Sequence, residues 1–156
     1  MHVPPTPSEE IRVMYVFTAP DGGDWGMTLE SFAAAVQERN PDDAAEVWDD
    51  EDGPGPRGAE LYFVFTIADE EFEGIARTIP QGVSIKHCTV DQAAEFAIWL
   101  RAHVVPAAEG IAFNTREGIE WDLPETPLPD APADTLRELF LTHLSEVQEE
   151  DDRNPS

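Results

Sequence analysis

Basic side chains are scarce in this chain: eight arginines and the single Lys86 face 33 acids in 156 residues, leaving a net charge of −24. Affinity for a phosphate backbone comes from Lys and Arg neutralising phosphates, so this balance excludes direct nucleic-acid binding and, for the same reason, docking on an anionic membrane. Cysteine is nearly absent too. With Cys88 alone, neither an intrachain disulfide nor a multi-cysteine zinc site can form, and a reduced, buried or half-buried thiol is expected. Long apolar runs are missing: the longest candidate, Leu61–Ala68, is strand-sized, well short of the roughly 18 residues a membrane span needs. The opening stretch Met1–Glu10 has no basic and no apolar region and carries Pro4, Pro5 and Pro7. A secretory leader is therefore not expected, and a cytoplasmic location is.

Apolar residues make up 41% of the chain, enough for a core, which excludes wholesale disorder. A single domain of this size buries roughly two thirds of its unfolded surface. Acidity is not confined to a tail, since residues 1–78 hold 18 acids and 4 bases, and residues 79–156 hold 15 acids and 5 bases. The charge belongs to the folded surface. Two runs exceed this background, Asp42 to Asp52 with seven acids and Glu146 to Asp152 with five, neither containing a base.

Hydrophobic periodicity gives the elements. Glu10–Thr18 reads as a strand apolar on both faces, with Ile11, Val13, Tyr15 and Phe17 opposite Met14 and Val16. Thr28 caps a predicted helix from Leu29 to about Arg39, striped by Leu29, Phe32, Ala33 and Val36 and stopped by Asn40-Pro41. Ala45–Asp50 alternates as a half-exposed edge strand. Glu60–Ile67 is a second doubly apolar strand, Leu61, Phe63, Phe65 and Ile67 opposing Tyr62, Val64 and Thr66. Asp69 caps a predicted short helix carrying Phe72, Ile75 and Ala76, weakened by Gly74, and Val83–His87 is a short strand.

Thr89-x-x-Gln92 is a capping box opening a helix to about Val104. Ile111–Thr115 and Gly118–Leu123 read as a hairpin through Arg116-Glu117. A stiff connector with Pro124, Pro127, Pro129 and Pro132 leads to a last helix with Leu136, Leu139, Phe140, Leu144 and Val147 on one face.

From residue 10 to 88 the order β-α-β-β-α-β matches a ferredoxin-like plait, whose first and third strands are central. The expected fold is α+β: a βαββαβ plait over 10–88, extended over 89–148 by a helix, a β-hairpin and a C-terminal helix. A disordered arm (1–9) and a frayed acidic tail (149–156) flank this single domain, 10–148. Because the central strands are apolar on both faces, the second face needs a cover. The C-terminal third either folds over it or packs beside it, leaving room for a homodimer across the open side.

No catalytic constellation emerges. His87 and Cys88 are neighbours on a strand and point to opposite faces, so the imidazole cannot activate the thiol. His2, His87, His103 and His143 are isolated, and Asp49-Asp50-Glu51-Asp52-Gly53 fails the calcium-loop register, so neither metal nor cofactor is expected. Glu120 and Asp122 share a strand face but read as surface acids. What remains is acidic and aromatic together: Trp25 in an Asp-Gly loop, and Trp48 flanked by Asp42, Asp43, Glu46, Asp49, Asp50, Glu51 and Asp52. Tryptophan is enriched at interface hot spots, and a field of this size steers basic partners. These nine residues are the expected partner-binding surface of a non-enzymatic protein that captures a basic protein. An immunity or inhibitor protein of bacterial type, blocking a toxin such as a nuclease, is one concrete form. A small-molecule-binding regulatory domain that dimerises through its sheet is the alternative, and acidity that is only a solubility or salt adaptation is another.

Overall fold

The computed structural model describes residues 11–20, 25–43, 45–48, 60–78, 81–106 and 109–153, with positions 46–48, 78, 81 and 151 described by backbone alone. The elements in chain order are β1 (Val13–Thr18), α1 (Leu29–Arg39), β2 (Ala45–Trp48), β3 (Glu60–Ile67), β4 (Glu70–Thr78), β5 (Gln81–Cys88), α2 (Val90–His103), β6 (Ile111–Thr115), α3 (Arg116–Glu120), β7 (Thr126–Leu128) and α4 (Ala133–Arg153). All seven strands join one antiparallel sheet in the order β2-β3-β4-β5-β1-β6-β7. The architecture is mixed α+β.

Local chemistry sets the helix starts where the sequence placed them. The Thr28 hydroxyl accepts from the Ser31 amide at 3.0 Å while Ser31 Oγ accepts from the Thr28 amide at 3.1 Å. Thr89 and Gln92 close the same reciprocal cap on α2. Both caps satisfy amides that the first helical turn leaves unpaired.

The predicted helix over residues 69–76 is instead β4, which corrects the plait. Phe72, Gly74 and Ala76 point inward, while Glu71, Glu73, Ile75 and Arg77 point out. A two-residue turn at Ala68-Asp69, both at positive φ (49° and 67°), joins β3 to β4 in register, Ile67 opposite Glu70. With no second helix between β3 and β5, the split βαβ crossover of a ferredoxin-like unit cannot form. β1 lies between β5 and β6 and fuses the two predicted halves into one sheet.

Three helices share one face of that sheet. Phe96 of α2 lies 5.8 Å from Phe17, 6.1 Å from Phe63 and 4.8 Å from Phe65. Phe32 of α1 lies 4.9 Å from Phe63, and Phe140 of α4 lies 5.0 Å from Tyr15 and 4.7 Å from Phe113. These rings are fully or almost fully buried and form the core.

The C-terminal third therefore does not close the second face: α4 packs beside α2 on the covered one. A sheet of seven strands is wide enough to need three helices there. The predicted hairpin is also replaced. Thr115 accepts from the Gly118 amide at 3.1 Å and starts the short α3, and the strand partner of β6 is β7, where Pro127 sits on a sheet edge. At its end α4 continues to Arg153, past the expected fray at Glu149; Gln148 donates to Asp152 at 3.1 Å and Arg153 pairs with Glu150 at 2.9 Å.

Candidate functional site

Register across the sheet assembles its uncovered face. Tyr62 of β3 stands opposite Ile75 of β4, Ile75 opposite Ser84 of β5, and Ser84 opposite Val16 of β1. Val64 and Met14 flank this row. Tyr62 is 42% exposed, and Met14, Val16, Val64 and Ile75 are half-buried. Around them stand Glu71, Glu73 and Lys86, all exposed, and the Glu60–Arg77 ion pair at 3.2 Å. Among the described residues the face is closed at its β6 end only. There Asn114 donates to the Leu123 carbonyl at 3.0 Å and Thr18 donates to Glu125 at 2.9 Å, so residues 116–125 wrap over β6. An apolar row with a charged rim is the usual anatomy of a protein-docking surface.

The residues singled out from the sequence do not gather there as a set. Trp25 is core, 2% exposed, with its indole N–H donating to the Gly110 carbonyl at 2.9 Å, so it cannot meet a partner. Asp43 is also buried. Its carboxylate accepts from the Thr66 amide at 3.0 Å and the Thr66 hydroxyl at 2.6 Å, and lies 3.8 Å from Arg39, tying α1 to β3. Asp42 is exposed. Backbone register sets Glu46 opposite Tyr62 and Trp48 opposite Glu60 on the edge strand β2, but the side chains of both lie outside the described part. Asp49, Asp50, Glu51 and Asp52 lie outside the described residues altogether. Sequence reasoning missed Tyr62, Val64 and Ile75 as a surface; the alternation in Glu70–Thr78 was the signal for it.

Cys88 is fully buried and His87 exposed, at φ 61° beside a bulge between β1 and β5. Burial pushes the Cys88 thiol up to about 12, which keeps it protonated at neutral pH. Glu120 lies on α3, 3.4 Å from Arg116, and Asp122 follows at φ 56°, so the strand pairing expected of these acids is absent. Among the described residues no three His, Cys, Asp or Glu side chains gather as a metal site, and no helix is long and apolar enough to cross a membrane.

A polar junction lies on the other side of the sheet. Thr115 Oγ1 is 2.8 Å from His143 Nε2 and accepts from the Gly118 amide, with both side chains buried. Burial lowers the His143 pKa. A neutral ring suits this site, since Nε2 then accepts the Thr115 hydroxyl proton and pins α4 to β6. The unfolded ring titrates near its ordinary value of about 6.5. With the folded pKa depressed, the contribution of His143 to stability is complete above that value and is lost as pH falls below it. Thermal unfolding between pH 7.5 and 5.5 is expected to show the wild-type melting temperature falling relative to that of His143→Gln. Parallel curves would show that the ring does not titrate on unfolding.

Two concavities lie on the helix-covered side. One, of about 420 Å³, lies between α2 and the start of α4 and is lined by Ala97, Ile98, Leu128, Pro132 and Leu136, with Arg101 donating to the Leu128 carbonyl at 2.8 Å. The other, of about 260 Å³, lies between β1, α3 and α4. Comparison with protein-family models, with curated proteins and with solved structures gave no match.

Proposed function

We propose that this chain is a non-enzymatic acidic protein that captures a basic protein partner on the open face of its sheet, an immunity or inhibitor protein against a toxin such as a nuclease being one form. The observation that carries this reading is that α1, α2 and α4 share one face, while on the other, among the described residues, Tyr62, Val64, Ile75 and Val16 form an apolar patch around Ser84. A net charge of −24 supplies long-range attraction for a basic surface, and the row supplies the desolvated contact that holds it. The test is capture from lysate at about 50 mM and about 500 mM salt by wild type, Ile75→Arg and, as a control on α4, Glu138→Arg. A basic protein recovered by wild type and Glu138→Arg, at least tenfold less with Ile75→Arg and less at high salt, is the expected result. Capture indifferent to Ile75→Arg and to salt would remove the proposal.

The 420 Å³ groove beneath the start of α4 favours a second reading, a small-molecule-binding regulatory domain that dimerises through its sheet. Its size is within the range of ligand pockets. A thermal-shift screen against metabolites with no hit, together with a monomeric mass in solution, would exclude it.

A further inference from the structure

The 260 Å³ cavity is lined by Ile11, Val13, Leu144 and Val147 on its apolar sides, by Thr115 and Gln148, and by Glu117 and Trp121 of the α3 segment. Its polar content is unbalanced. Glu117 Oε2 is buried and, among the described residues, has no hydrogen-bond partner. On the same strand as Val13, the fully buried Tyr15 hydroxyl is likewise without one among the described residues, and burial together with Cys88 and Glu117 pushes its pKa up. A buried carboxylate oxygen is costly to leave unpaired, so the cavity favours an occupant that donates to it.

The walls narrow the chemistry of that occupant. An anion is repelled by Glu117 and by the field of the whole molecule. A neutral apolar molecule leaves the carboxylate unanswered. A metal ion would need further charged or imidazole ligands, and among the described residues no three His, Cys, Asp or Glu side chains gather to supply them. An alkylammonium or alkylguanidinium suits the carboxylate, the indole and the aliphatic walls: its N–H groups donate to Glu117, its charge favours an indole, and its alkyl stem fits the aliphatic lining. The volume is below that of drug-sized pockets and suits one short chain.

We propose that the Glu117–Trp121 cavity is a binding site for an organic cation of this class, either a free alkylamine or the side chain of a lysine or arginine on another protein. The site lies between α4 and the sheet, away from the open face, and does not depend on the partner proposed for that face.

The test is titration of the full chain at 150 mM NaCl with n-butylguanidinium and n-butylammonium, followed by the indole N–H signal of Trp121, assigned with Trp121→Phe. n-Pentanol and pentanoate serve as the neutral and anionic counterparts. Saturable shifts with the two cations only, weakened at least tenfold in Glu117→Gln but unchanged in the exposed Glu120→Gln, are the expected result. Equal response to pentanol, or cation binding that survives Glu117→Gln, would overturn it, the second result exposing a nonspecific effect of the acidic surface. Circular dichroism confirms that each variant is folded. A capped Gly-Arg-Gly peptide identifies the source. Binding as tight as that of n-butylguanidinium assigns the site to a protein side chain, and exclusion of the peptide with retention of the free cation assigns it to a small amine.

Discussion

Replacing Gly74 by alanine is expected to destabilise the protein by at least about 3 kcal/mol, at the upper end of overpacking costs. The residue lies mid-strand in β4 and points into the helix-covered layer, opposite Phe63. A Cβ built there falls on the Phe63 ring and lies 2.5 Å from the Ser84 carbonyl oxygen of β5. The glycine is therefore required by space, not by an unusual φ. Neither obstacle yields easily: Phe63 is held by Phe32 at 4.9 Å and stacked with Phe96 at 6.1 Å, and the Ser84 carbonyl belongs to the backbone of a paired strand. Denaturant unfolding of Gly74→Ala, Phe63→Leu and the double variant measures the coupling. The double variant is expected to be less damaged than the sum of the singles by about 1 kcal/mol or more, because the smaller side chain removes one of the two clashes. Strict additivity would mean that the ring and the glycine are not in conflict.

That glycine also shows why part of the fold was illegible. Phe72, Ile75 and Ala76 satisfy helical spacing, and the inward series Phe72, Gly74, Ala76 is small, so period two carries little hydrophobic contrast. The turn before it uses Ala68-Asp69 where a hairpin signal would show Asn-Gly, and an Asp ahead of a helical pattern is also a helix cap. By contrast, Thr28 and Thr89 were readable because each cap closes within three residues. Candidate surface residues failed for a similar reason of distance. Trp25 is fixed by a carbonyl 85 positions away, and Asp43, one acid in a run of seven, is anchored to Thr66. A run of like charge does not reveal which member is structural. The alternation in Glu70–Thr78 could mark a strand with two unlike faces, but not that one stays open, since that follows from α1, α2 and α4 choosing the same side.

That choice of side has a quantitative consequence for two aromatic residues. Phe140 on α4 contacts Tyr15, Phe17 and Phe113 and is fully buried, whereas Tyr62 on β3 is 42% exposed and stands over the opposite face. Phe140→Ala removes a ring from a packed layer and leaves a cavity between α4 and two strands, at an expected cost of about 4 kcal/mol. For a chain of this size that lowers the melting temperature by roughly 10–15 °C. Tyr62→Ala loses, among its contacts, a cross-strand contact with Ile75 and a long hydrogen bond to Glu60 at 3.3 Å, at an expected cost of about 1 kcal/mol. Thermal and urea unfolding of both variants give the comparison. If α4 covered the open face instead, the two values would converge, because Tyr62 would then be core. A large difference means that stability is supplied almost wholly from one side of the sheet. The row of Tyr62, Ile75 and Val16 is then free to be shaped by binding, since substitutions there change a partner's affinity at little expense to the fold.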